Sequence, residues 1–299
     1  STGGSGTYAN GFPLSAATSG AYVVIKPGTH ILKIRYWLKD VATGIEGTIT
    51  KTLSSATYDQ NKYYNITANL DVRDYDGDHY YMWDAQQQCW YGYEWTRHLS
   101  GNTGQPTLNG NSSPNYPQSN SDVSRWYHEG GGSGRFDATQ SCASLPNANE
   151  MSWYCMYGDP RWDGDELWTT MGHLYKGGMW FKKKSALQTE GHYNTEKSAD
   201  GTTDLRTTWK QYINTNSSIN NLGVPSAADA GNYFYLPALG TYPASGFLIG
   251  IGVSGFYWTS STGPWGSGTA YILKFSQASG IDLINGDPTY GGRVEPSFE

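Results

Sequence analysis

Apolar and polar residues alternate along the first part of the chain. Every second residue is apolar in the segments 31–39 and 64–72, and shorter stretches at 21–25 and 45–51 have a similar character. A period of two residues is typical of a half-buried β-strand. Gly and Pro residues in the intervening segments favour turns. Residues 1–79 are therefore predicted to form a β-sandwich domain of antiparallel strands, whole or in part.

Two helical patterns and then several short strands follow in residues 80–299. Asn147 and Glu150 have the spacing of a capping box, which predicts that a first helix begins there. A second helix is predicted after Asp163 or Asp165, because apolar residues recur behind them at helical spacing. Helices followed by antiparallel strands indicate an α+β domain. Alternating segments that predict these strands lie at 233–239, 256–261, 270–275 and 280–284.

The composition excludes several classes of protein. Aromatic residues make up 15% of the chain, with 24 Tyr and 12 Trp, whereas disordered chains are poor in such residues. The net charge is −6, and the basic run Lys182–Lys184 is too short for a nucleic-acid-binding surface. No stretch approaches the ~20 apolar residues of a membrane span. Tyr and Trp offer a large contact area at small entropic cost, so binding surfaces favour them as well as cores.

The three cysteines, Cys89, Cys142 and Cys155, have spacings that fit neither a zinc site nor a redox motif. A disulfide between Cys142 and Cys155 is one alternative. Buried free thiols are the interpretation that we favour, because free cysteine is among the most buried residue types.

Asp74, Asp76 and Asp78 resemble the start of a calcium-binding loop, since Ca²⁺ prefers several carboxylate oxygens. The glycine is misplaced and the bidentate glutamate is missing. A polar turn is therefore favoured over a metal site.

A second acidic cluster contains Asp159, Asp163, Asp165 and Glu166. Carboxylates at the start of the predicted second helix would stabilise its dipole, and a paired acid–base site is the alternative. The sequence contains no HExxH, Walker A or GxSxG motif. We therefore predict no catalytic residue, no metal ligand and no cofactor.

The C-terminal strands have one consistent apolar side and one chemically mixed side. Tyr271, Leu273 and Phe275 share the side that is predicted to face the core. Ile272 and Lys274 belong to the mixed side, and the adjacent turns add aromatic and small polar residues. Such a combination on a rigid sheet suits a ligand-binding surface, and an ordinary solvated sheet face is the alternative.

Several segments resemble proteins of bacterial pili. Within residues 31–84, the segments 45–53 and 63–70 are similar to the C-terminal part of a Bacteroidetes fimbrillin, a type V pilus subunit. The sequence Tyr-Met-Trp-Asp-Ala at 81–85 is similar to the junction with a second domain in such proteins. The C-terminal region resembles the C-type-lectin-fold domains of pilus tip adhesins and the variable proteins of diversity-generating retroelements. Further similar segments lie at 149–154, 172–178, 235–240 and 255–261.

This resemblance implies a fold, a location and a binding face. The chain would consist of a fimbrillin-like β-sandwich domain (1–79) and a C-type-lectin-like, ligand-binding α+β domain (80–299), located outside the cell on its surface or on a pilus. Its partners would be other pilin subunits and a protein or glycan on a cell surface. The residues displayed toward the ligand would be Trp265, Ser267, Thr269, Ile272, Lys274, Ser276, Asp282, Ile284, Asn285, Asp287, Thr289 and Tyr290.

The hypothesis that we favour is a tip adhesin without enzymatic activity. On this hypothesis, alanine at Trp265 and Ile272 removes adhesion and leaves stability unchanged. A stalk pilin that polymerises by strand exchange is one alternative, although Pro296 near the C-terminus argues against it. A carbohydrate-active or carbohydrate-binding surface protein that uses Asp163 and Glu166 is the other.

Overall fold

The computed structural model describes residues 23–66, 69–96, 113–128, 136–215 and 218–295. The chain divides into two compact units, Ser1–Val72 and Arg73–Glu299. The segment 73–79, which the sequence analysis assigned to the first domain, belongs to the second unit. The C-terminal Pro296 that bears on the stalk hypothesis lies outside the described residues.

The first unit contains two small antiparallel sheets in its described residues. Its strands are β1 (Gly28–His30), β2 (Lys33–Lys39), β3 (Glu46–Thr52) and β4 (Ala56–Tyr58). β1 pairs with β4, and β2 pairs with β3. The alternation predicted for 31–39 is confirmed, because Ile34, Tyr36 and Leu38 form the less exposed side of β2. Residues 23–25, 64–66 and 69–72 form no strand, so the strands predicted there are wrong in these described parts.

The second unit contains twelve strands and three α-helices in its described residues. The helices are α1 (Ala148–Tyr157), α2 (Lys184–Thr189) and α3 (Ser218–Asn221). The strands are β5 (Arg73–Asp74), β6 (Tyr80–Tyr81), β7 (Arg161–Thr170), β8 (His173–Lys182), β9 (Tyr212–Asn214), β10 (Tyr233–Pro237), β11 (Leu239–Thr241), β12 (Ile249–Ile251), β13 (Ser254–Gly263), β14 (Gly266–Ser276), β15 (Gly280–Gly286) and β16 (Gly292–Arg293).

The first helix is confirmed together with its cap. The Asn147 side chain accepts a hydrogen bond from the Glu150 N–H at 3.0 Å, and the Glu150 carboxylate accepts one from the Asn147 N–H at 2.8 Å. This reciprocal pair is a capping box. α1 buries Met151, Tyr154 and Cys155 in the core against the C-terminal strands.

A hairpin lies where the second helix was predicted, so that prediction is wrong. β7 and β8 pair antiparallel, and Thr170 lies opposite His173 across a turn of Met171 and Gly172. Both turn residues have positive φ angles, 51° and 77°, which is the geometry of a two-residue hairpin turn. The aromatic and β-branched residues from Trp168 to Thr170 favour a strand, and this preference outweighs the helical spacing of the apolar residues. The hairpin belongs to a four-stranded sheet of order β10-β8-β7-β5.

The larger sheet contains eight strands, and its main path is β12-β11-β13-β14-β15-β9. β16 pairs with β13 and with β6, which brings the segment near residue 80 to the end of the chain. β13, β14 and β15 form an antiparallel meander in which Leu273 lies opposite both Tyr257 and Leu283. The four C-terminal strands predicted from the sequence are therefore confirmed as β10, β13, β14 and β15.

The fold class expected from the sequence is wrong. Strands make up 37% and helices 10% of the structure, so the fold is mostly β rather than a β-sandwich followed by a C-type-lectin-like α+β domain. The larger sheet curls as a half-barrel. The physical reason is that the segment 161–182 pairs as two strands, so that α1, with ten residues, is the longest helix in the described part of the chain.

The three cysteines are free and buried, as predicted. Burial raises the pKa of the Cys89 thiol to about 12, and it raises those of Cys142 and Cys155 as well. The thiols are therefore protonated and unreactive at neutral pH.

Asp84 joins two distant segments in the interior. Its side chain is fully buried, and its oxygens accept hydrogen bonds from the N–H groups of Thr139, Gln140 and Cys142 at 2.8, 2.8 and 3.1 Å. A carboxylate that accepts several backbone N–H groups replaces the water that burial removes. Asp84 therefore fixes the segment that begins at residue 139 against the segment that follows β6.

We expect Asp84→Ala to lower the free energy of unfolding by about 3 kcal/mol or more, because three backbone donors lose their acceptor. Urea denaturation followed by tryptophan fluorescence measures this loss. The control is Asp165→Ala, because the Asp165 side chain is 99% exposed. A loss for Asp84→Ala no larger than that of the control would show that these three hydrogen bonds do not stabilise the fold.

Candidate functional site

The apolar side of β14 faces the core, as predicted. Tyr271, Leu273 and Phe275 are fully buried. They pack in a cluster with α1, Phe181 and Leu283. The side chains on the opposite side of β14 and β15 are those predicted to be displayed to a ligand.

That opposite side is covered over much of its length. Ile272 is 4% exposed and packs in a second cluster with Trp258, Trp83 and Leu145. Ile284 is half-buried against the same cluster. The expectation that Ile272 is displayed is wrong. Trp83 and Leu145, which precede β13 in the sequence, and Val294, which follows β15, belong to the cluster that buries this face.

Two indole N–H groups hold this cover in place. The Trp83 N–H donates to the carbonyl of Thr259 at 2.9 Å, and the Trp258 N–H donates to the carbonyl of Tyr81 at 2.8 Å. Both rings are fully buried. The hydrogen bonds run in opposite directions between the same two segments, so these segments cannot separate without exposing both rings.

Ser276 is also buried, at 8% exposed, and its hydroxyl shares a hydrogen bond with that of Ser279 at 2.6 Å. Its predicted display is wrong, because Ser276 lies at the end of β14 in a turn where its hydroxyl also accepts a hydrogen bond from the Ser279 N–H. Lys274 and Asp282 lie opposite each other in the register and remain partly exposed. Burial raises the pKa of Asp282, and the nearby Lys274 opposes this shift.

The remaining predicted residues lie nearer to turns. Asp287 accepts hydrogen bonds from the N–H and the hydroxyl of Thr289, which stabilises the turn after β15. Tyr290 is half-buried against the second cluster. The Thr269 hydroxyl and the Asn285 side-chain carbonyl are buried oxygens without a hydrogen bond in the described residues. The structure does not describe the side chain of Ser267.

Trp265 is the predicted residue that protrudes most clearly. It lies in the turn between β13 and β14 and is 61% exposed. Its ring centroid lies 6.2 Å from that of Trp209, with 32° between the ring planes, and Trp209 is 49% exposed. The two indoles therefore form an exposed aromatic pair, which we call the tryptophan pair.

Sequence reasoning missed Trp209, which lies in a segment that is otherwise polar. An isolated Trp among Thr and Lys residues was a signal that could have found it. The Tyr271 hydroxyl donates to the carbonyl of Lys210 at 3.1 Å, and β9 then pairs with β15. These contacts attach the segment of Trp209 to the sheet that carries Trp265.

The two acidic candidates have structural contacts. Asp74 accepts a hydrogen bond from the Thr169 hydroxyl, and Asp76 accepts one from the N–H of Asp78. In the part of the chain that the structure describes, no three His, Cys, Asp or Glu residues are grouped so as to hold a metal ion.

The cluster from Asp159 to Glu166 does not cap a helix, so that interpretation is wrong. Asp163 lies in β7 and accepts hydrogen bonds from two backbone N–H groups and from the Trp180 indole at 3.0 Å. Asp159 accepts hydrogen bonds from Arg161 and Tyr233. These contacts shape the irregular part of β7, where the register shifts after Asp163.

Comparisons with family models, curated proteins and solved structures found no match to this chain. The resemblance to pilus proteins therefore stays a prediction. None of the helices among the described residues is long and apolar enough to cross a membrane.

We expect Ile272→Ala to lower the free energy of unfolding by about 2–5 kcal/mol, since it leaves a cavity in the buried cluster that contains Trp83 and Trp258. Chemical denaturation measures the change. The control is Lys274→Ala on the same strand and side, which should cost no more than about 1 kcal/mol because Lys274 is partly exposed. Equal small losses for both variants would contradict the burial of this face.

Proposed function

We propose that this chain is an extracellular recognition protein, an adhesin that binds a protein or glycan on the surface of a host or neighbouring cell. The tryptophan pair is the observation that supports it. Trp209 and Trp265 come from different elements, lie 6.2 Å apart and are about half exposed or more.

An exposed pair of indoles offers a larger apolar surface than one exposed indole. Each Trp presents a large apolar area, and burying such area against a partner is favourable. Trp is enriched among the residues that dominate the binding energy of interfaces. A flat aromatic pair suits both a peptide side chain and the apolar face of a sugar ring.

The pair is held by rigid elements. Trp265 is carried by the turn between two long strands, and Trp209 is attached through Lys210 to Tyr271. A contact surface on a rigid scaffold loses little conformational entropy when it binds.

The location on a cell surface or pilus is the part of this proposal that depends on the sequence resemblance. The abundance of Tyr and Trp supports the binding part independently, because both residues favour recognition surfaces. Lys274 and Asp282 remain partly exposed, but the buried Ala270 and Ile272 separate Lys274 from Trp265 along β14.

We expect Trp209→Ala and Trp265→Ala each to weaken ligand binding about 30-fold, which is the effect of losing an interface residue that contributes about 2 kcal/mol. Binding is measured on an array of glycans and purified cell-surface proteins, with the wild-type chain identifying the ligand. Melting temperatures should stay close to that of the wild type, because both rings are exposed.

The matched control is Trp95→Ala. Trp95 is also in the second unit and is 71% exposed, but it belongs to a separate short helical turn. Undiminished binding by the double variant Trp209→Ala/Trp265→Ala, or an equal loss with Trp95→Ala, would contradict the proposal.

A further inference from the structure

A cleft of about 340 Å³ lies on the four-stranded sheet, away from the tryptophan pair. The side chains of Phe234, Leu236 and Phe181 on one face of this sheet pack in the core. Tyr233, Tyr235 and Trp180 alternate with them and therefore belong to the other face. The cleft lies among these residues and the adjoining β5 and β7, and its volume falls in the range of about 300–1,000 Å³ that is typical of small-molecule sites.

The walls of the cleft are rich in aromatic rings. Tyr235 lies opposite Trp180 in the register, with ring centroids 5.1 Å apart. Tyr75 meets Trp168 edge-on at 6.1 Å. Tyr75 and Trp168 are buried, whereas Trp180 and Tyr235 are partly exposed, so the latter pair offers the apolar surface against which a ligand ring can pack.

A polar atom within this wall lacks a partner. The Tyr235 hydroxyl makes no hydrogen bond in the described residues. The nearby Trp168 indole donates instead to the carbonyl of Gly177 at 3.0 Å. Burial raises the pKa of Tyr235 well above its ordinary value, so the hydroxyl keeps its proton at all physiological pH values. The hydroxyl is buried against Gly178, so Tyr235 presents its ring, and not its hydroxyl, to the cleft.

The charges of the cleft are balanced. Arg73 and Lys183 contribute two cations, and Glu166 and Glu295 contribute two carboxyl groups. Glu295 lies 3.8 Å from Arg293, whereas neither Arg73 nor Lys183 has an ion-pair partner among the described residues. Burial and the neighbouring Asp163 raise the pKa of Glu166, which favours its neutral form relative to an exposed glutamate.

We propose that this cleft binds a neutral saccharide. The apolar C–H face of a sugar ring fits against the aromatic walls. Its hydroxyl groups both donate and accept hydrogen bonds, so they match a cleft that presents cationic donors and carboxyl acceptors together. A strongly charged ligand would meet groups of its own sign. The cleft is separate from the tryptophan pair, so each site can be tested without the other.

The experiment titrates the full chain with short neutral oligosaccharides of glucose, galactose and mannose by isothermal calorimetry. We expect at least one of them to bind, and we expect Arg73→Ala and Glu166→Gln each to weaken that binding tenfold or more. Both residues lie at partly or fully exposed positions, so a melting curve should confirm that each variant folds.

The matched control is Lys176→Ala. Lys176 is on β8, pairs with Asp165 at 3.7 Å and does not line the cleft, so its loss should leave binding unchanged. The double variant Trp209→Ala/Trp265→Ala should also bind the oligosaccharide as the wild type does.

Three results would overturn the proposal: no binding of any neutral oligosaccharide, binding that survives both cleft variants, or binding that is lost in the double tryptophan variant. The last result would assign the saccharide to the tryptophan pair and would support the adhesin proposal while removing this one.

Discussion

The burial of β14 on both of its faces is the constraint around which the second unit is built. Tyr271, Leu273 and Phe275 on one face pack with α1, and Ala270 and Ile272 on the other face pack in a separate cluster. Each fully buried large apolar side chain contributes about 1.5–3 kcal/mol. A strand with two buried faces needs cover on both, so segments far from it in sequence must fold back over the sheet.

The cover of the second face determines which side chains of β14 and β15 stay exposed. Trp83 and Trp258 exchange hydrogen bonds with the opposite backbone segment; Trp258 lies beside Ile272 on the neighbouring strand, and Trp83 belongs to the same buried cluster. The turn that carries Trp265 is exposed, and Lys274 and Asp282 stay partly exposed on the covered face.

The aromatic richness of the chain serves two purposes in this arrangement. Most of the largest fully buried side chains are Trp or Tyr, and they give a mostly β protein interlocking cores without long helices. Trp209 and Trp265 are exposed instead, and Trp180 and Tyr235 are partly exposed along the cleft. Composition therefore indicated both an aromatic core and an aromatic surface, but it did not show which Trp and Tyr residues are buried and which are exposed.

Local sequence determined the elements whose signals act over a few residues. The capping box predicted the start of α1, and the alternation of apolar residues predicted β2 and the C-terminal strands, because caps and strand periodicity depend on neighbouring positions. The buried thiols also followed from the residue type. The helix predicted after Asp163 is wrong because the spacing of its apolar residues fits both a helix and a strand. The tight turn at Met171 and Gly172 favours the pairing of two strands over a helix.

Only the tertiary structure decided which side of a strand is exposed. Alternation shows that Ile272 and Leu273 lie on opposite faces of β14. It does not show that Trp83, more than a hundred residues earlier in the sequence, belongs to the cluster that buries Ile272. The approach of Trp209 to Trp265 and the assembly of Arg73, Glu166 and Tyr235 around one cleft are equally non-local. Burial is a property of what the rest of the chain places against a residue, and no short stretch of sequence contains that information.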